Sequence, residues 1–266
     1  MIDDKALTEK AAELLGTFHG RRLAKLEEVQ LPHLLKKNPY LYRSIGHAVA
    51  SDYIRAALDA LVSSSDETIF GNVFFEPLAK WAAVQAHHGQ TGVSVQAGGG
   101  AGFDVSIETP REYKAVAVKS GTNIFNSQSG KQQNTELDAL HARIRKEKKV
   151  FHPIIGYGYG RKRQRDENPK VLKLAGQAFW AEITGDEEFY QRISAVLGNK
   201  PMQLAVEFET AYMRARNRLE KAFMDGYVAD DGSINWGQVI AFNSAREAPK
   251  RKRAPRPKKK NRNPIL

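Results

Sequence analysis

The sequence predicts an α/β fold, and three stretches carry this prediction. Residues 115–118 (Ala-Val-Ala-Val) are apolar at every position, which is typical of a strand buried on both faces. Residues 104–107 alternate polar and apolar side chains at the two-residue period of a strand. Residues 3–28 instead repeat apolar side chains at helical spacing, with charges between them. We therefore expect a sheet with helices around it, preceded by an N-terminal helical segment.

A second helical stretch and a possible boundary follow this first helix. Residues 41–61 again carry apolar side chains at helical spacing. Three serines at 63–65, followed by two acids, are typical of a helix start, because serine side chains cap free amides there. The N-terminal helical segment is therefore expected to occupy residues 1–65, and a core with a C-terminal helical part is expected over residues 66–247.

Further elements are expected after the central strands. Residues 150–156 are apolar enough to form another buried strand. Phe179 and Trp180 are adjacent large apolar side chains, and we expect them to pack against the sheet rather than to perform chemistry. Residues 201–224 have the pattern of a long amphipathic helix.

The composition excludes several classes of protein. The chain of 266 residues contains no cysteine, which rules out disulfides, zinc-thiolate sites and thiol catalysis. No apolar run approaches the length of a membrane span, and the N-terminus lacks the basic and apolar regions of a signal peptide. We expect a cytoplasmic protein without a membrane partner.

Most of the excess positive charge lies at the C-terminus. The formal net charge is +11, and nine lysines and arginines without any acid lie between residues 250 and 262, which leaves about +2 on the rest. The segment 248–266 is rich in proline and lacks an apolar period, so it is expected to be a disordered basic tail. Such a tail can bind nucleic acid without sequence preference through its phosphates, or serve only to keep the chain soluble.

The candidate chemistry lies at the two central strands. Asp104 begins the first strand, and Lys119 stands where the second, buried strand emerges. A carboxylate can hold Mg²⁺, which prefers oxygen ligands, and a lysine can position a water or stabilise charge on a phosphate. This pair suits metal-assisted phosphodiester hydrolysis. Spacing alone, however, favours an ordinary hairpin with a surface aspartate and a strand-end lysine, because such pairs are common in α/β proteins.

The residues after the second strand resemble a known enzyme group. The sequence Lys119-Ser120-Gly121-Thr122-Asn123, with Asn126 soon after, resembles the Lys-Ser-Gly-Pro-Asn strand end of certain type II restriction endonucleases. These enzymes belong to the PD-(D/E)XK nuclease superfamily. The resemblance implies a mixed sheet flanked by helices and hydrolysis of double-stranded DNA that depends on Mg²⁺, with Mn²⁺ as a possible substitute. It also implies Asp104 as a metal ligand, Lys119 as a catalytic residue and a homodimer, since two strands must be cut.

The sequence departs from the superfamily pattern at one metal ligand. Two positions before the lysine the superfamily has an acid, and this chain has Ala117, which cannot bind metal. Glu76 is the best substitute, because the stretch around it resembles the glutamate-bearing helix that precedes the nuclease core. A glutamate beside Pro77 at a helix start is equally explained by the helix dipole. Glu108 and Glu112 are weaker candidates.

Several polar residues are expected to contact DNA. The resemblance extends to a Tyr-Gly-Arg-like strand end after residue 156 and to the words around Phe179 and Trp180. Arginine and lysine there would contact phosphates or base edges. The expected DNA-binding residues are Ser120, Asn123, Asn126, Arg161, Lys162 and Arg163.

Two other functions fit parts of the sequence. Ala117 favours a catalytically impaired protein that keeps the nuclease fold and binds DNA. The basic tail fits an RNA-associated or nucleoid-packaging protein. Cleavage of a plasmid in the presence of Mg²⁺ separates the enzyme from both.

Overall fold

One mixed sheet forms the centre of the molecule. The computed structural model describes residues 1–98, 102–121, 139–162 and 170–246. Within these residues five strands pair in the order β1-β2-β3-β4-β5. The antiparallel pairs are β1–β2 and β2–β3, and the parallel pairs are β3–β4 and β4–β5. The strands are β1 (Ser94–Ala97), β2 (Val105–Glu108), β3 (Glu112–Lys119), β4 (Val150–Tyr157) and β5 (Leu172–Ala175). The mixed sheet implied by the resemblance is therefore confirmed.

Helices lie before the sheet, between its strands and after it. The N-terminal helices are α1 (Asp4–Glu28), α2 (Leu31–Leu35), α3 (Pro39–Ser44), α4 (Ala50–Phe70) and α5 (Glu76–His87). Residues 139–146 are helical (α6). The later helices are α7 (Gln177–Thr184), α8 (Phe189–Leu197), α9 (Lys200–Tyr227) and α10 (Trp236–Ser244). No helix in these described ranges has both the length and the apolar character needed to cross a membrane.

The central strand is buried as predicted. The second predicted strand is β3, which lies between β2 and β4, and its residues 115–118 are buried. Val116 and Val118 belong to the core against α1, α5, α7 and α8. Ala115 and Ala117 belong to the core on the opposite face, together with residues of α6. The apolar character of residues 115–118 is explained by these two cores.

The serines at 63–65 do not begin a helix. They lie inside α4, which runs without interruption from Ala50 to Phe70, so the prediction of a helix cap there is wrong. The proposed boundary at residue 65 falls within this helix. The prediction failed because serine, although favoured at helix caps, is also tolerated inside a helix that packing stabilises.

A π-helical turn joins α4 directly to α5. The turn covers Gly71–Phe75, and the amide of Glu76 donates to the carbonyl of Gly71 with the five-residue spacing of a π-helix. Pro77 follows in the first turn of α5, and proline has no amide to donate. The wider turn lets the helix continue past this proline, so residues 50–87 form one continuous helical segment beside the sheet.

The N-terminal helices share a core with the C-terminal ones. Leu26, Tyr53 and Leu58 from α1 and α4 belong to the same buried cluster as Leu219 and Phe223 from α9. Residues from α2 and α10 complete this cluster. Two segments at opposite ends of the chain therefore stabilise each other beside the sheet.

The aromatic pair of α7 is buried as expected. Phe179 and Trp180 are 0% and 1% exposed, and the Trp180 indole nitrogen donates to the Gly158 carbonyl at 2.8 Å. Gly156 in β4 lies directly beneath the Phe179 ring, with no space for a side chain. This close approach fixes α7 on the sheet.

Replacing Gly156 by alanine is expected to destabilise the protein by about 1–3 kcal/mol, because the added methyl group overlaps the Phe179 ring. The matched control is Gly16→Ala in α1, where no atom lies within 4 Å of the added carbon. That change is expected to stabilise the protein by about 0.5–1 kcal/mol. Denaturant unfolding measures both, and a Gly156→Ala variant as stable as the parent would show that the close packing is not rigid.

Candidate active site

A cavity of about 430 Å³ lies where β3 ends, between the sheet and the α4–α5 helical path. The three residues predicted to be catalytic, Asp104, Lys119 and Glu76, all line it. Asp104 immediately precedes β2, Lys119 ends β3 and Glu76 begins α5. Residues far apart in sequence are thus brought to one concave surface.

Asp104 is held by the backbone of β3. Its amide donates to the Val116 carbonyl at 2.8 Å, and its Oδ2 accepts a hydrogen bond from the Val118 amide at 2.7 Å. The antiparallel register, in which Val105 pairs with Val116, places Asp104 beside the C-terminal part of β3. One carboxylate oxygen is therefore fixed by the strand, and the other, Oδ1, lies 3.8 Å from Lys80 Nζ on α5.

Glu76 and Lys80 lie one helical turn apart on α5. Lys80 Nζ is 2.5 Å from Glu76 Oε1 and 3.8 Å from Asp104 Oδ1, so the ammonium contacts a carboxylate of α5 and the one that precedes β2. Burial raises the pKa of Asp104, and the negative charge of Glu76 raises it further. The Val118 hydrogen bond and the charge of Lys80 oppose this rise in pKa. Asp104 is thus a partly buried acid beside a second carboxylate, and the Lys80 ammonium contacts both.

The backbone around Lys119 is fixed by β4. Lys119 pairs with Tyr157 in the parallel register, and its carbonyl accepts from the Gly158 amide at 2.8 Å. The next carbonyl, of Ser120, accepts from the Tyr159 amide at 3.3 Å. Pairing with β4 thus continues past the end of β3, which holds the lysine at the cavity.

Glu67 also lines the cavity and was missed by sequence reasoning. It lies on α4, where its carboxylate accepts hydrogen bonds from the Tyr159 hydroxyl and from Ser120 Oγ, the latter at 3.4 Å. Gly71 allows this approach, since a Cβ there would lie 2.8 Å from the Ser120 Cβ. The sequence suggested only a first-turn helix acid for Glu67, because its partners are 53 and 92 positions away.

A family model described as type II restriction endonuclease EcoO109I matches residues 5–204, about three quarters of the chain. The chain belongs to this restriction endonuclease family. PD-(D/E)XK is the known fold of the family, so the recognition made from the strand-end residues is confirmed. The family acts on DNA, and endonucleolytic cleavage of DNA is its general activity. A search of curated proteins found no significant match.

The family match covers the cavity and the whole sheet but ends early in α9. Most of α9 and all of α10 lie outside the match, although both pack in the core shared with α1 and α4. The helical part that completes this core therefore lies partly beyond the restriction endonuclease match.

The position of the usual superfamily acid contributes nothing to the cavity. Ala117 is 0% exposed and packs in the core on the α6 face. Of the alternative acids, Glu108 pairs with Lys149, and Glu112 lies 3.9 Å from His152. Glu76 is the predicted substitute that lines the same cavity as Asp104.

The donor set fits a divalent ion that keeps part of its water shell. Asp104 and Glu76 offer carboxylate oxygens, the ligand type that Mg²⁺ prefers. Across the residues that the structure describes, no three His, Asp or Glu side chains are grouped closely enough to hold one metal ion. Water and DNA phosphate oxygens would supply the other ligands, as is usual for Mg²⁺.

The predicted DNA-binding residues fall into three groups. Arg161 and Lys162 are exposed after β4 and line a second cavity of about 760 Å³. Tyr159 also lines this second cavity and links the two through its bond to Glu67. Ser120 is only 6% exposed and its hydroxyl turns inward to Glu67, so its DNA contact stays a prediction. Asn123, Asn126, Arg163 and the tail 248–266 lie outside the described residues.

Replacing Asp104 by asparagine is expected to change stability in a way that depends on pH. The fold raises the pKa of Asp104 above its ordinary 3.8, so it favours the protonated form. Protonated Asp104 therefore stabilises the parent chain below pH 3.8, and this stabilisation is lost as the pH rises through the raised pKa. Asparagine does not titrate, so the variant shows no such loss. The melting temperature of Asp104→Asn relative to the parent, measured without metal, should increase between pH 3.5 and 7.

The control for this measurement is Asp231→Asn, where the opposite trend is expected. The Ser233 hydroxyl and amide lower the pKa of Asp231, so the parent gains stability from this group as pH rises. The same trend in both variants would contradict the account of the Asp104 environment.

Proposed function

We propose that this chain is a Mg²⁺-dependent type II restriction endonuclease that hydrolyses phosphodiester bonds in double-stranded DNA, with Mn²⁺ as an alternative ion. The observation that carries the proposal is that Asp104, Glu76 and Lys119 line one cavity in a chain of this family. Asp104 and Glu76 bind the metal in this proposal, and Lys119 acts on the scissile phosphate or the attacking water.

Each side chain has a distinct part in the proposed reaction. A bound divalent ion lowers the pKa of water and neutralises charge on the phosphate. Asp104 keeps its orientation because the Val118 amide fixes one of its oxygens. Lys119, held at the strand end by β4, places a positive charge where the pentavalent phosphate gains negative charge. A bond forms from water oxygen to phosphorus, the bond to the bridging oxygen breaks, and that oxygen takes up a proton.

The proposal extends to the assembly and its setting. One such site cuts one strand, so cleavage of both strands calls for two copies of the chain related by a two-fold axis. Restriction of foreign DNA such as that of phages would take place in the cytoplasm. Exposed Arg161 and Lys162 would approach phosphates or guanine edges near the cavity.

The proposal is tested by plasmid cleavage with Mg²⁺ and with a chelator. We expect cleavage to require the metal, and we expect Asp104→Asn and Lys119→Met each to lower its rate by at least about 10²–10³-fold, because each removes charge stabilisation at the phosphate. Glu76→Gln should raise the metal concentration needed for half-maximal cleavage. Sequencing the cut ends would identify the recognition site.

Lys114→Met is the matched control for Lys119→Met. Lys114 lies on the same strand and pairs with Glu182 at 2.7 Å, outside the cavity. Its replacement should leave cleavage unchanged. Cleavage by Asp104→Asn at the parent rate would refute the assignment of the site.

The second candidate is a protein of this family that binds DNA without cutting it. Buried Ala117 favours it, because one negative charge of the superfamily metal site is missing. Retarded migration of DNA without any cleavage in Mg²⁺ or Mn²⁺ would support this candidate over the enzyme.

A further inference from the structure

Lys80 contacts both proposed metal ligands. Its Nζ is 2.5 Å from Glu76 Oε1 on its own helix and 3.8 Å from Asp104 Oδ1, immediately before β2. The side chains of Lys80, Glu76 and Asp104 are 28%, 31% and 22% exposed, so all three are largely withdrawn from water. The Asp104 oxygen nearest to Lys80 is the one that the Val118 amide does not occupy.

Helix geometry alone does not explain this arrangement. A Glu76–Lys80 pair at four-residue spacing is ordinary on a helix and contributes little by itself. Asp104 comes from a different part of the chain, so its contact with Lys80 brings a second carboxylate to the same ammonium. Lys80 therefore occupies oxygens of both carboxylates that a metal ion bound to the two acids would use.

We propose that Lys80 is a resident counter-ion of the Asp104–Glu76 pair, which a divalent ion must displace, so that Lys80 sets the metal affinity of the site. This inference rests on the proposed function. It assigns a role to a residue outside the superfamily pattern, which concerns residues 104, 117 and 119 in this chain.

Electrostatics give the direction of the effect. A metal bound to both carboxylates, at the roughly 2 Å ligand distance of Mg²⁺, would lie within a few ångströms of the Lys80 ammonium, and like charges at that range repel strongly in a partly buried site. The lysine stem is long and partly exposed, so the ammonium can move out to water. Displacing it releases both carboxylate oxygens for the metal, at the cost of the ion pair.

Because position 117 carries no acid, the competition between Lys80 and the metal for the two carboxylates has a larger effect on metal affinity. Asp104, Glu76 and Lys80 together carry a formal charge of −1, and buried Ala117 adds none. The phosphates of bound DNA restore negative charge near the cavity and offer Lys80 another partner. Metal and DNA are therefore expected to strengthen each other's binding, and this coupling must be reciprocal.

The test is titration calorimetry of Mn²⁺ into the full chain without DNA. Lys80→Met removes the charge without adding an oxygen ligand, and we expect Mn²⁺ to bind it about tenfold more tightly than the parent, which is about 1.4 kcal/mol. The melting temperature without metal should fall, because two carboxylates lose their counter-ion, and the rise on adding Mn²⁺ should be larger than in the parent. A purely structural role would lower stability and weaken metal binding together.

Matched controls identify the source of any change. Lys114→Met removes a lysine of equal exposure from a single ion pair outside the cavity, and its Mn²⁺ affinity should equal that of the parent. Asp104→Asn should abolish the binding. Lys80→Gln provides a second uncharged variant should the methionine protein fail to fold.

The outcomes separate this inference from the proposed function. The role of Lys80 is overturned if Lys80→Met and Lys80→Gln bind Mn²⁺ no more tightly than the parent does. If Asp104→Asn abolishes Mn²⁺ binding in the same experiment, the metal site itself is retained. Absence of Mn²⁺ binding in the parent and in both Lys80 variants, even with DNA present, overturns the metal site and this inference with it.

Discussion

The hydrogen bond from the Val118 amide to Asp104 Oδ2 is the interaction on which the candidate site depends. It joins the acid immediately before β2 to the strand that ends in Lys119, and so fixes the position of one group relative to the backbone that carries the other. β3 can provide this fixed reference because it is central and buried on both faces. Withdrawal from water also disfavours the charge of Asp104, and that cost is what a bound divalent ion would offset.

The second constraint is the unbroken helical path over residues 50–87. Along it Glu67, Gly71, Glu76 and Lys80 follow one another at spacings of four, five and four positions, and so face the end of β3 together. The π-turn supplies the five-residue step that keeps Glu76 on this face while Pro77 remains in the helix. This path receives support from the core in which N- and C-terminal helices meet.

Local patterns predicted the parts of the fold and site that depend on neighbouring residues. The apolar run at 115–118 predicted the central strand, and the strand-end residues after Lys119 led to the family. The serines at 63–65 led to the wrong prediction of a helix start, because packing keeps α4 helical through them despite their preference for caps. The roles of Glu67 and Lys80 could not be predicted, since Tyr159 and Asp104 lie far from them in sequence and nothing local distinguishes the two residues from other helix-surface charges.

The central claim is that two carboxylates, Asp104 before β2 and Glu76 on α5, act as one divalent-ion site beside Lys119. The most direct measurement is anomalous diffraction at the manganese edge from crystals of the full chain soaked in Mn²⁺. The account predicts one strong peak within about 2–2.5 Å of carboxylate oxygens of both Asp104 and Glu76. A peak elsewhere in the molecule, with these two side chains still held by Lys80, would contradict it.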